Sequence, residues 1–289
     1  MTAHAVSIVV PCYNGGGFLD GLMAAIDAQT FRDFEVIIVD DGSTNRETAE
    51  KLADLAGSVR VVWQDNRGLA GARNTGFQEA RSELVLPLDC DDMIDPTFLD
   101  ELVRSLAGVP DAGFAFTHMR LMGVRSGIRQ TRFDRFDQLF VNQLPYCMLI
   151  RKSAWQQVGG YDEAMRDGYE DWEFNIRLAA AGFRGIEIPR PLFTYRESSE
   201  GMLRRHSVRM HGTLWRRIRT KHAALYTLPA LVGLWRSRTT NQGRVSAWQA
   251  ASLLLLAMTM PERSFNSLFV RLLEAAQHRR NVTVESVGH

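Results

Sequence analysis

The feature that most constrains the fold of this chain is an alternation of short apolar runs with helical segments over the first 110 residues. Four runs, at 6–10, 34–39, 59–63 and 83–88, each stop at a cluster of polar or small residues, as buried strands do. Segments with helical periodicity separate them, at 18–28, 44–56 and 68–81. This alternation predicts an α/β fold in which a mostly parallel sheet carries helices on both faces.

The boundaries of several elements follow from local signals. Thr44 and Glu47 have the spacing of a capping box, which predicts that the second helix begins there. Further along, the pattern predicts a helix from Pro96 to about 106, strands at 113–118 and 119–124, a mobile Arg-rich loop at 123–135, a strand at 144–150, a helix that opens at 168–171 and runs to Gly182 as C-cap, and short strands at 185–188 and 192–195.

The fourth apolar run ends in three carboxylates, Asp89, Asp91 and Asp92, with one small residue between the first two. Adjacent unpaired carboxylates repel at the end of a buried strand, so the cluster calls for a compensating cation. One interpretation is a divalent metal site. The other is a helix N-terminus, because an Asp-Pro pair follows and acidic residues suit the positive end of a helix dipole. The local sequence leaves both interpretations open.

Polar side chains also follow the earlier strands. Asn14 comes after the first run, and Asp40 and Asp41 come after the second. In open parallel sheets ligands bind beyond the carboxyl ends of the strands, so these residues and the acidic cluster are expected to meet at one sheet edge. The three glycines at 15–17 lack the lysine and the spacing of a phosphate loop, and they predict a turn that lets the backbone approach a ligand.

Composition excludes several classes of protein. Three cysteines, at 12, 90 and 147, are too few and too scattered for a disulfide framework or a zinc site, which favours a reducing compartment. The first apolar run lacks the basic flank of a signal peptide. No apolar stretch reaches the roughly 18 residues that span a bilayer, and the nearest covers 251–260. We therefore expect a cytoplasmic protein without a membrane-spanning helix.

The net charge of +1 hides two parts of opposite sign. Residues 1–199 contain 20 basic and 29 acidic residues, a net charge of −9, whereas residues 200–289 contain 14 and 4, a net charge of +10. From residue 202 onward, helical periodicity with many Arg and Trp residues predicts a basic helical C-terminal extension with an anionic partner. No nucleic-acid-binding module accompanies this charge, so nucleic acid is not expected. The extension is expected either to lie peripherally on the inner face of an anionic membrane, or to pack on the catalytic body or on a second copy of the chain in a homo-oligomer.

Five motifs occur in order: Val-Pro-Cys-Tyr-Asn at 10–14, Val-Asp-Asp-Gly-Ser-Thr at 39–44, Gly-Leu-Ala-Gly-Ala-Arg-Asn at 68–74, Asp-Cys-Asp-Asp at 89–92 and Glu-Asp-Trp at 170–172. This series resembles the family-two inverting glycosyltransferases of GT-A fold, and the resemblance covers about residues 5–202. It implies a GT-A catalytic domain at 1–211, with a Rossmann-like nucleotide-binding half at about 1–110 and an acceptor half at about 111–211. The helical extension would then occupy 212–289.

The resemblance also implies roles for individual residues. Asp41 matches the acid that contacts the nucleotide base, with a helix-capping or turn carboxylate as the alternative. Arg73 matches an arginine near the nucleotide, where a fixed cation helps to hold diphosphate, with a solvated helix arginine as the alternative. The residues expected to bind a nucleotide-sugar donor are Pro11, Tyr13, Asn14, Asp41, Arg73, Asp89 and Cys90.

Asp89 and Asp91 match the Asp-x-Asp motif of that family, which implies a Mg²⁺ or Mn²⁺ ion. Asp91 would be the direct metal ligand, with Asp89 nearer the sugar or ribose, and the ion would neutralise the leaving diphosphate. Asp92 belongs either to this site or to a cap of the following turn. Asp171 matches the second acid of the Glu-Asp pair and is the expected general base, with Glu170 as the alternative base. Acids that merely suit a helix N-terminus are the structural alternative.

Two further positions carry open alternatives. Trp172 either stacks on a sugar or is a buried aromatic residue. Many relatives carry a histidine shortly after a Tyr-Arg strand, and none follows Tyr195 and Arg196 at that position. His206 or His211 could replace it, although a surface histidine is the expectation for each.

The resemblance therefore implies a metal-dependent, inverting, hexosyltransferase-type enzyme. It would move a sugar from a nucleotide diphosphate donor, UDP-linked, to a hydroxyl of a glycan or lipid-linked acceptor in cell-surface polysaccharide or glycoconjugate synthesis. A sugar-phosphate nucleotidyltransferase is one alternative, but residues 11–18 contain no Lys or Arg for its basic glycine-rich loop. A non-catalytic nucleotide-sugar-binding module is another, against which the acids at 41, 89, 91 and 171 argue.

Overall fold

The computed structural model describes residues 4–198, 210–238, 245–261 and 263–268. The chain divides into two compact units. The first combines Met1–Arg166 with Glu170–Ser198, and the second combines Asp167–Tyr169 with Ser199–His289. The acidic cluster, Arg73 and the Glu-Asp pair all belong to the first unit, and the domain boundary at residue 211 stays a prediction.

A nine-stranded mixed sheet organises the first unit. Its strands are β1 (Val6–Cys12), β2 (Phe34–Asp40), β3 (Arg60–Trp63), β4 (Leu84–Pro87), β5 (Met93–Ile94), β6 (Ala112–Gly123), β7 (Gly127–Arg129), β8 (Leu149–Arg151) and β9 (Arg184–Glu197). The order is β3-β2-β1-β4-β8-β6-β9-β5, and β7 pairs with β6. β3, β2, β1 and β4 are parallel, as the alternation predicts, so their carboxyl ends share one edge.

Helices cover both faces of this sheet. They are α1 (Gly16–Asp27), α2 (Arg46–Leu55), α3 (Gly68–Glu79), α4 (Phe98–Ala107), α5 (Lys152–Val158) and α6 (Glu170–Ala180). Ile8 and Val10 of β1 belong to the apolar cluster of α1 and α4, whereas Val9 belongs to that of α3 and α6. Burial on both faces explains why the strands are continuous apolar runs rather than alternating ones. The predicted α/β class is confirmed.

Several predicted boundaries outside the parallel strands are wrong. Residues 112–123 form one strand rather than two, because β9 pairs with β6 along most of its length. The short strands predicted at 185–188 and 192–195 are likewise one strand, with register shifts in the pairing where Pro189 and Pro191 occur. The loop predicted as mobile contains β7, and residues 144–148 are not strand.

The second helix begins one residue later than the capping box predicts. Asn45 is the N-cap, and its side chain accepts a hydrogen bond from the Thr48 N–H at 2.9 Å. Thr44 is held elsewhere, because its N–H donates to Asn14 Oδ1 at 2.8 Å. The prediction of a Thr44 cap is therefore wrong, because the Thr44 backbone N–H is bound by Asn14, which lies 30 positions earlier in the chain.

Gly76 allows α3 to approach β1 closely, which gives a test of the packing. A Cβ at Gly76 would lie 2.1 Å from Cγ1 of Val9. We expect Gly76→Ala to lower the free energy of unfolding by about 1–3 kcal/mol, because overpacking outweighs the gain in helix propensity of at most about 1 kcal/mol. In the matched control Gly21→Ala, in α1, the new Cβ meets nothing within 4 Å, so this variant is expected to be more stable. Urea unfolding measures both, and a Gly76→Ala protein at least as stable as the wild type would contradict the close approach.

The described part of the second unit is helical, as predicted, with α7 (His211–Lys221), α8 (Leu228–Arg236) and α9 (Ala247–Thr259). α9 contains no charged residue, and α8 contains only Arg236. Leu228, Trp248 and Met258 are 75%, 85% and 77% exposed. In the segments for which coordinates are described, no helix combines the length and the apolar character needed to cross a bilayer. His206 lies outside the described residues.

Candidate active site

A hydrogen-bond network joins the carboxyl ends of β1 and β2. Asn14 follows β1 in the left-handed region, with a φ of 53°, which asparagine tolerates because its short side chain bonds locally. Its N–H donates to Ser43 Oγ at 2.9 Å, and its Oδ1 accepts from the N–H groups of Thr44 and Asn45 at 2.8 and 3.0 Å. The predicted donor-binding residue Asn14 thus fixes the loop that follows β2.

Asp41 anchors the N-terminus of α3. Its Oδ1 accepts from the Arg67 N–H and its Oδ2 from the Gly68 N–H, each at 2.8 Å, and Gln64 Nε2 also donates to Oδ1 at 2.6 Å. A carboxylate here satisfies helix N–H groups that lack an intrahelical partner and suits the positive end of the dipole. Asp41, 2% exposed, therefore has the helix-anchoring role that the sequence left as the alternative, and its contact with a nucleotide base stays a prediction.

A buried arginine links the sheet edge to α6. Arg73 of α3 is 1% exposed, so it is not a solvated helix arginine. Its Nη2 donates to both carboxylate oxygens of Asp89 at 2.9 and 3.0 Å, and its Nη1 donates to Glu170 Oε1 at 2.8 Å. The guanidinium carbon also lies 4.7 Å from the ring centroid of Tyr146. One fixed cation thus holds a carboxylate from each side of the site.

The acidic groups outnumber this cation. Burial raises the pKa of Asp89, and the ion pair with Arg73 opposes the rise only in part. Burial also raises the pKa of Glu170 to about 7, again against the attraction of Arg73. Burial and the neighbouring Asp89 raise the pKa of Asp91 to about 6. An additional cation would favour the ionised form of each carboxylate.

Tyr146 holds the loop from residue 89 to residue 92. Its hydroxyl accepts from the Asp89 N–H at 3.0 Å and donates to Asp92 Oδ2. The Arg196 N–H donates to Asp92 Oδ1 at 2.6 Å, and Arg196 Nε donates to the Asp91 carbonyl oxygen at 2.9 Å. Asp92, 2% exposed, thus fastens the loop internally. Over residues 4–198, the Asp91 carboxylate accepts no hydrogen bond from another residue.

The chemistry around Asp91 fits a divalent cation that also binds a diphosphate. Across the described segments, no group of three or more His, Cys, Asp or Glu side chains is arranged to hold a metal by itself. Mg²⁺, however, usually takes one or two carboxylates and completes its shell with phosphate oxygens and water. Asp91 offers one such carboxylate. Asp89 commits both oxygens to Arg73 and keeps 21% of its side chain exposed.

Asp171, the second residue of α6, has a hydrogen-bond donor on each carboxylate oxygen. Oδ1 accepts from the Trp172 N–H at 2.7 Å, and Oδ2 accepts from Asn142 Nδ2 at 2.8 Å. Asp171 is half-buried, whereas Glu170 is 6% exposed and paired with Arg73. Of the two acids, Asp171 is therefore the more accessible. Trp172 is 2% exposed and donates through Nε1 to the Gln138 carbonyl at 2.6 Å, so it is the buried aromatic residue of the two alternatives.

Three other predicted donor-binding residues lie at the same edge. Pro11 is buried in β1, and Tyr13, just beyond it, is 52% exposed. Cys90 lies near Cys12, because a Cβ at Gly15 would be 2.5 Å from Cys90 Sγ and 3.5 Å from Cys12 Sγ. Their roles in donor binding stay predictions.

His211 is not the surface histidine that the sequence predicts. It is 3% exposed, and its Nδ1 lies 3.0 Å from the Tyr169 hydroxyl within the second unit. Burial lowers the pKa of His211 to about 3, so the ring is neutral at neutral pH. Tyr169 itself has a φ of 65°, an uncommon conformation for a bulky residue.

Sequence reasoning missed Asn142 and the role of Tyr146. Asn142 belongs to no recognisable motif, and its partner Asp171 is 29 residues away. Tyr146 lies in an apolar run. A buried tyrosine hydroxyl usually has a hydrogen-bond partner, and this need was the available signal for its role.

The parallel half of the mixed sheet carries the Asp-x-Asp loop at its carboxyl edge, and a buried arginine links this loop to the Glu-Asp pair of α6. This is the arrangement that the resemblance to the GT-A glycosyltransferases implies. The chain belongs to glycosyl transferase family 2, whose model matches residues 7–184. A relative is the protein EpsH of Bacillus subtilis (strain 168), provisionally described as a glycosyltransferase. It is 33% identical over 232 residues, which cover 73% of this chain and 66% of EpsH. This chain thus spans about two thirds of the length of that relative.

Solved structures share the fold. S. aureus TarS 1–349 in complex with UDP-GlcNAc superposes with a TM-score of 0.66 and 17% identity, over 93% of this chain and 92% of that one. The mannosyltransferase PcManGT from Pyrobaculum calidifontis, in complex with GDP-Man and Mn²⁺, has a TM-score of 0.56 and 20% identity, over 96% of this chain and 87% of that one. These likenesses confirm the GT-A fold.

Proposed function

We propose that this chain is a metal-dependent inverting glycosyltransferase that moves a hexose from a UDP-linked donor to a hydroxyl of a glycan or lipid-linked acceptor, in polysaccharide or glycoconjugate synthesis. The observation that carries the proposal is the link through Arg73, which joins Asp89 of the Asp-x-Asp loop to Glu170, the neighbour of Asp171. Family membership supports glycosyl transfer. The nucleotide sugars bound by TarS and PcManGT support a donor of this class.

The metal in this proposal is Mg²⁺ or Mn²⁺, with Asp91 as its direct ligand and Asp89 nearer the sugar or ribose. When bound, it supplies Lewis-acid stabilisation of the charge on the leaving diphosphate. Asp91 suits the role because its carboxylate has no competing donor from another residue of the described first unit. The Mn²⁺ in the PcManGT complex supports a metal of this kind.

Asp171 is the proposed general base. It takes the proton of the acceptor hydroxyl while the hydroxyl oxygen bonds to the anomeric carbon, on the face opposite the diphosphate. The bond from that carbon to the phosphate oxygen breaks in the same displacement, and its electron pair leaves with the diphosphate. No covalent glycosyl-enzyme forms, and the configuration inverts.

Thermal stabilisation by nucleotide sugars tests the donor and the metal together. With Mn²⁺ or Mg²⁺ present, a UDP-sugar is expected to raise Tm more than other nucleotide sugars do. Asp91→Asn is expected to abolish the metal-dependent part of the shift, whereas the control Asp54→Asn, on the exposed side of α2, keeps it. A wild-type shift that is the same with and without metal would overturn metal dependence, and no shift with any nucleotide sugar would overturn the donor.

The same measurement from pH 5 to 8 has a definite sign. Protons compete with the cation for Asp91, so the metal-dependent rise in Tm is expected to be full above about pH 7 and to fade as the pH falls through about 6. Without metal the trend reverses. The folded-state pKa of Asp91 lies above its ordinary value of 3.8, so its contribution to stability falls as the pH rises from about 4 to 6. A metal effect independent of pH would contradict Asp91 as a ligand.

The helices of the second unit support a second proposal, that they bind an anionic membrane surface on the cytoplasmic side. Leu228, Trp248 and Met258 expose apolar side chains, and residues 200–289 carry a net charge of +10. Apolar burial and attraction to anionic lipids would act together. Vesicle flotation of the full chain is expected to show binding to anionic vesicles, reduced in the double variant Leu228→Ser, Trp248→Ser. Equal binding to neutral vesicles would contradict the electrostatic part, and a dimer in sedimentation that the double variant loses would assign these helices to a homo-oligomer.

A further inference from the structure

We propose that Asn142 is a positioning residue for Asp171, whose carboxylate it holds in a fixed orientation for proton transfer. The inference rests on the proposed function, because it takes Asp171 as the base. Asn142 Nδ2 donates to Asp171 Oδ2 at 2.8 Å, and the Trp172 N–H donates to Oδ1 at 2.7 Å. Two donors on two oxygens fix the plane of the carboxylate relative to α6.

The surroundings of Asn142 fix which end of its amide faces Asp171. Gln138 Nε2 and Asn175 Nδ2 both donate to Asn142 Oδ1, at 3.3 and 3.4 Å. The Gln143 N–H donates to Gln138 Oε1 at 3.2 Å, so the end of Gln138 that faces Asn142 is its donor. The Asn142 oxygen therefore faces Gln138, and its NH₂ group faces Asp171, since a side-chain amide has one acceptor end and one donor end. Arg129 Nη2 also donates to the Asn142 carbonyl oxygen, which ties the segment to β7.

The charged and polar groups around Asp171 explain why the hydrogen bond from Asn142 matters. Two carboxylates, Glu170 and Asp89, and two phenols, Tyr161 and Tyr195, interact electrostatically with Asp171. Arg73 is committed to Asp89 and Glu170. Beside these acids, a hydrogen bond from a neutral N–H group stabilises the Asp171 carboxylate without adding negative charge. Asn142 is the side chain that supplies this bond within residues 4–198.

Asn142→Asp isolates the donated hydrogen bond. The new carboxylate has the same shape, and one of its oxygens can still accept from Gln138 and Asn175, but the other replaces the donor to Asp171 with a negative charge. At pH 7 we expect kcat to fall about 100-fold, the scale of a misplaced catalytic group. The acid limb of the kcat/KM profile is expected to move to higher pH by about one unit. The donor KM is expected to stay within about twofold of the wild type.

Asn142→Ala is expected to show smaller changes in the same directions, and it carries the test if Asn142→Asp does not fold.

Gln143→Ala is the matched control for a merely structural role of the segment. Gln143 accepts from the Asp134 N–H at 2.9 Å and donates to Asp137 at 3.3 Å, without contacting Asp171. It is expected to keep the wild-type acid limb. A wild-type acid limb in both Asn142 variants, or an equal shift in Gln143→Ala, would overturn the proposal. The Asp171→Asn variant distinguishes failure of the proposed base from failure of the positioning role. If it turns over normally, the assignment of Asp171 as the base is wrong. If it is inactive while the Asn142 variants behave as wild type, only the positioning role of Asn142 is wrong.

Discussion

The Asp171→Asn variant is expected to lose about 10³-fold in kcat, within the usual range for removal of a general base. Asparagine has nearly the shape of aspartate and can keep the bond from the Trp172 N–H, although its NH₂ end cannot accept from Asn142. An amide does not accept the proton of an attacking hydroxyl. Donor affinity should stay close to that of the wild type, because the proposed base acts on the acceptor. Initial rates at saturating substrate, together with donor-induced shifts in Tm, measure the two effects separately.

Glu170→Gln is the comparison that decides between the two acids. Glu170 is paired with Arg73 and only 6% exposed, so its substitution is expected to affect stability more than the proton-transfer step. Near-normal turnover in Asp171→Asn would refute the base assignment. Loss of turnover in Glu170→Gln at unchanged stability would then transfer the role to Glu170.

The Arg73→Met variant is expected to lose about 3–5 kcal/mol of unfolding free energy, the cost of breaking a buried ion pair. Methionine retains much of the apolar volume but leaves Asp89 and Glu170 without their shared cation. Arg73 and Glu170 side chains are 1% and 8% exposed, so water does not compensate. Urea unfolding at pH 7.5 measures the loss.

Two further variants test the cause of that loss. Adding Glu170→Gln to Arg73→Met removes one uncompensated charge and is expected to recover part of the stability. Arg46→Met removes an arginine from an exposed pair with Glu50, whose side chains are 90% and 60% exposed, and should unfold close to the wild type. A loss in Arg73→Met no larger than in Arg46→Met would show that the buried pair contributes little.

Most of the parallel half of the sheet could be predicted because β1, β2 and β4 are largely buried on both faces. Such strands leave continuous apolar runs, and the predicted starts at 6 and 34 coincide with those of β1 and β2. The other half of the sheet, in which antiparallel pairs adjoin the parallel pair of β6 and β9, could not be predicted equally well. Its pairings join residues far apart in the chain, such as Arg120 with Thr194, and they alone decide that β6 and β9 continue through local breaks in the pattern.

The candidate acids could be proposed from the sequence, but their partners could not. Asp89, Asp91 and Asp171 belong to short motifs that keep their order along the chain. Arg73, by contrast, reaches carboxylates that are 16 and 97 residues away, and the Tyr146 hydroxyl bonds a backbone N–H 57 residues away. Such contacts depend on how α3, α6 and the Asp89 loop pack, for which local sequence carries no signal.

The shared guanidinium couples the proposed donor and acceptor sides of the site electrostatically. The single positive charge of Arg73 attracts two carboxylates at once. Asp89 follows the strand that would meet the donor, and Glu170 begins the helix that carries Asp171. Whatever draws Asp89 away from the guanidinium strengthens its hold on Glu170, and whatever disturbs Glu170 is felt at Asp89. Such coupling is reciprocal: if a bound donor alters the affinity for an acceptor through this residue, the acceptor alters the affinity for the donor by the same factor.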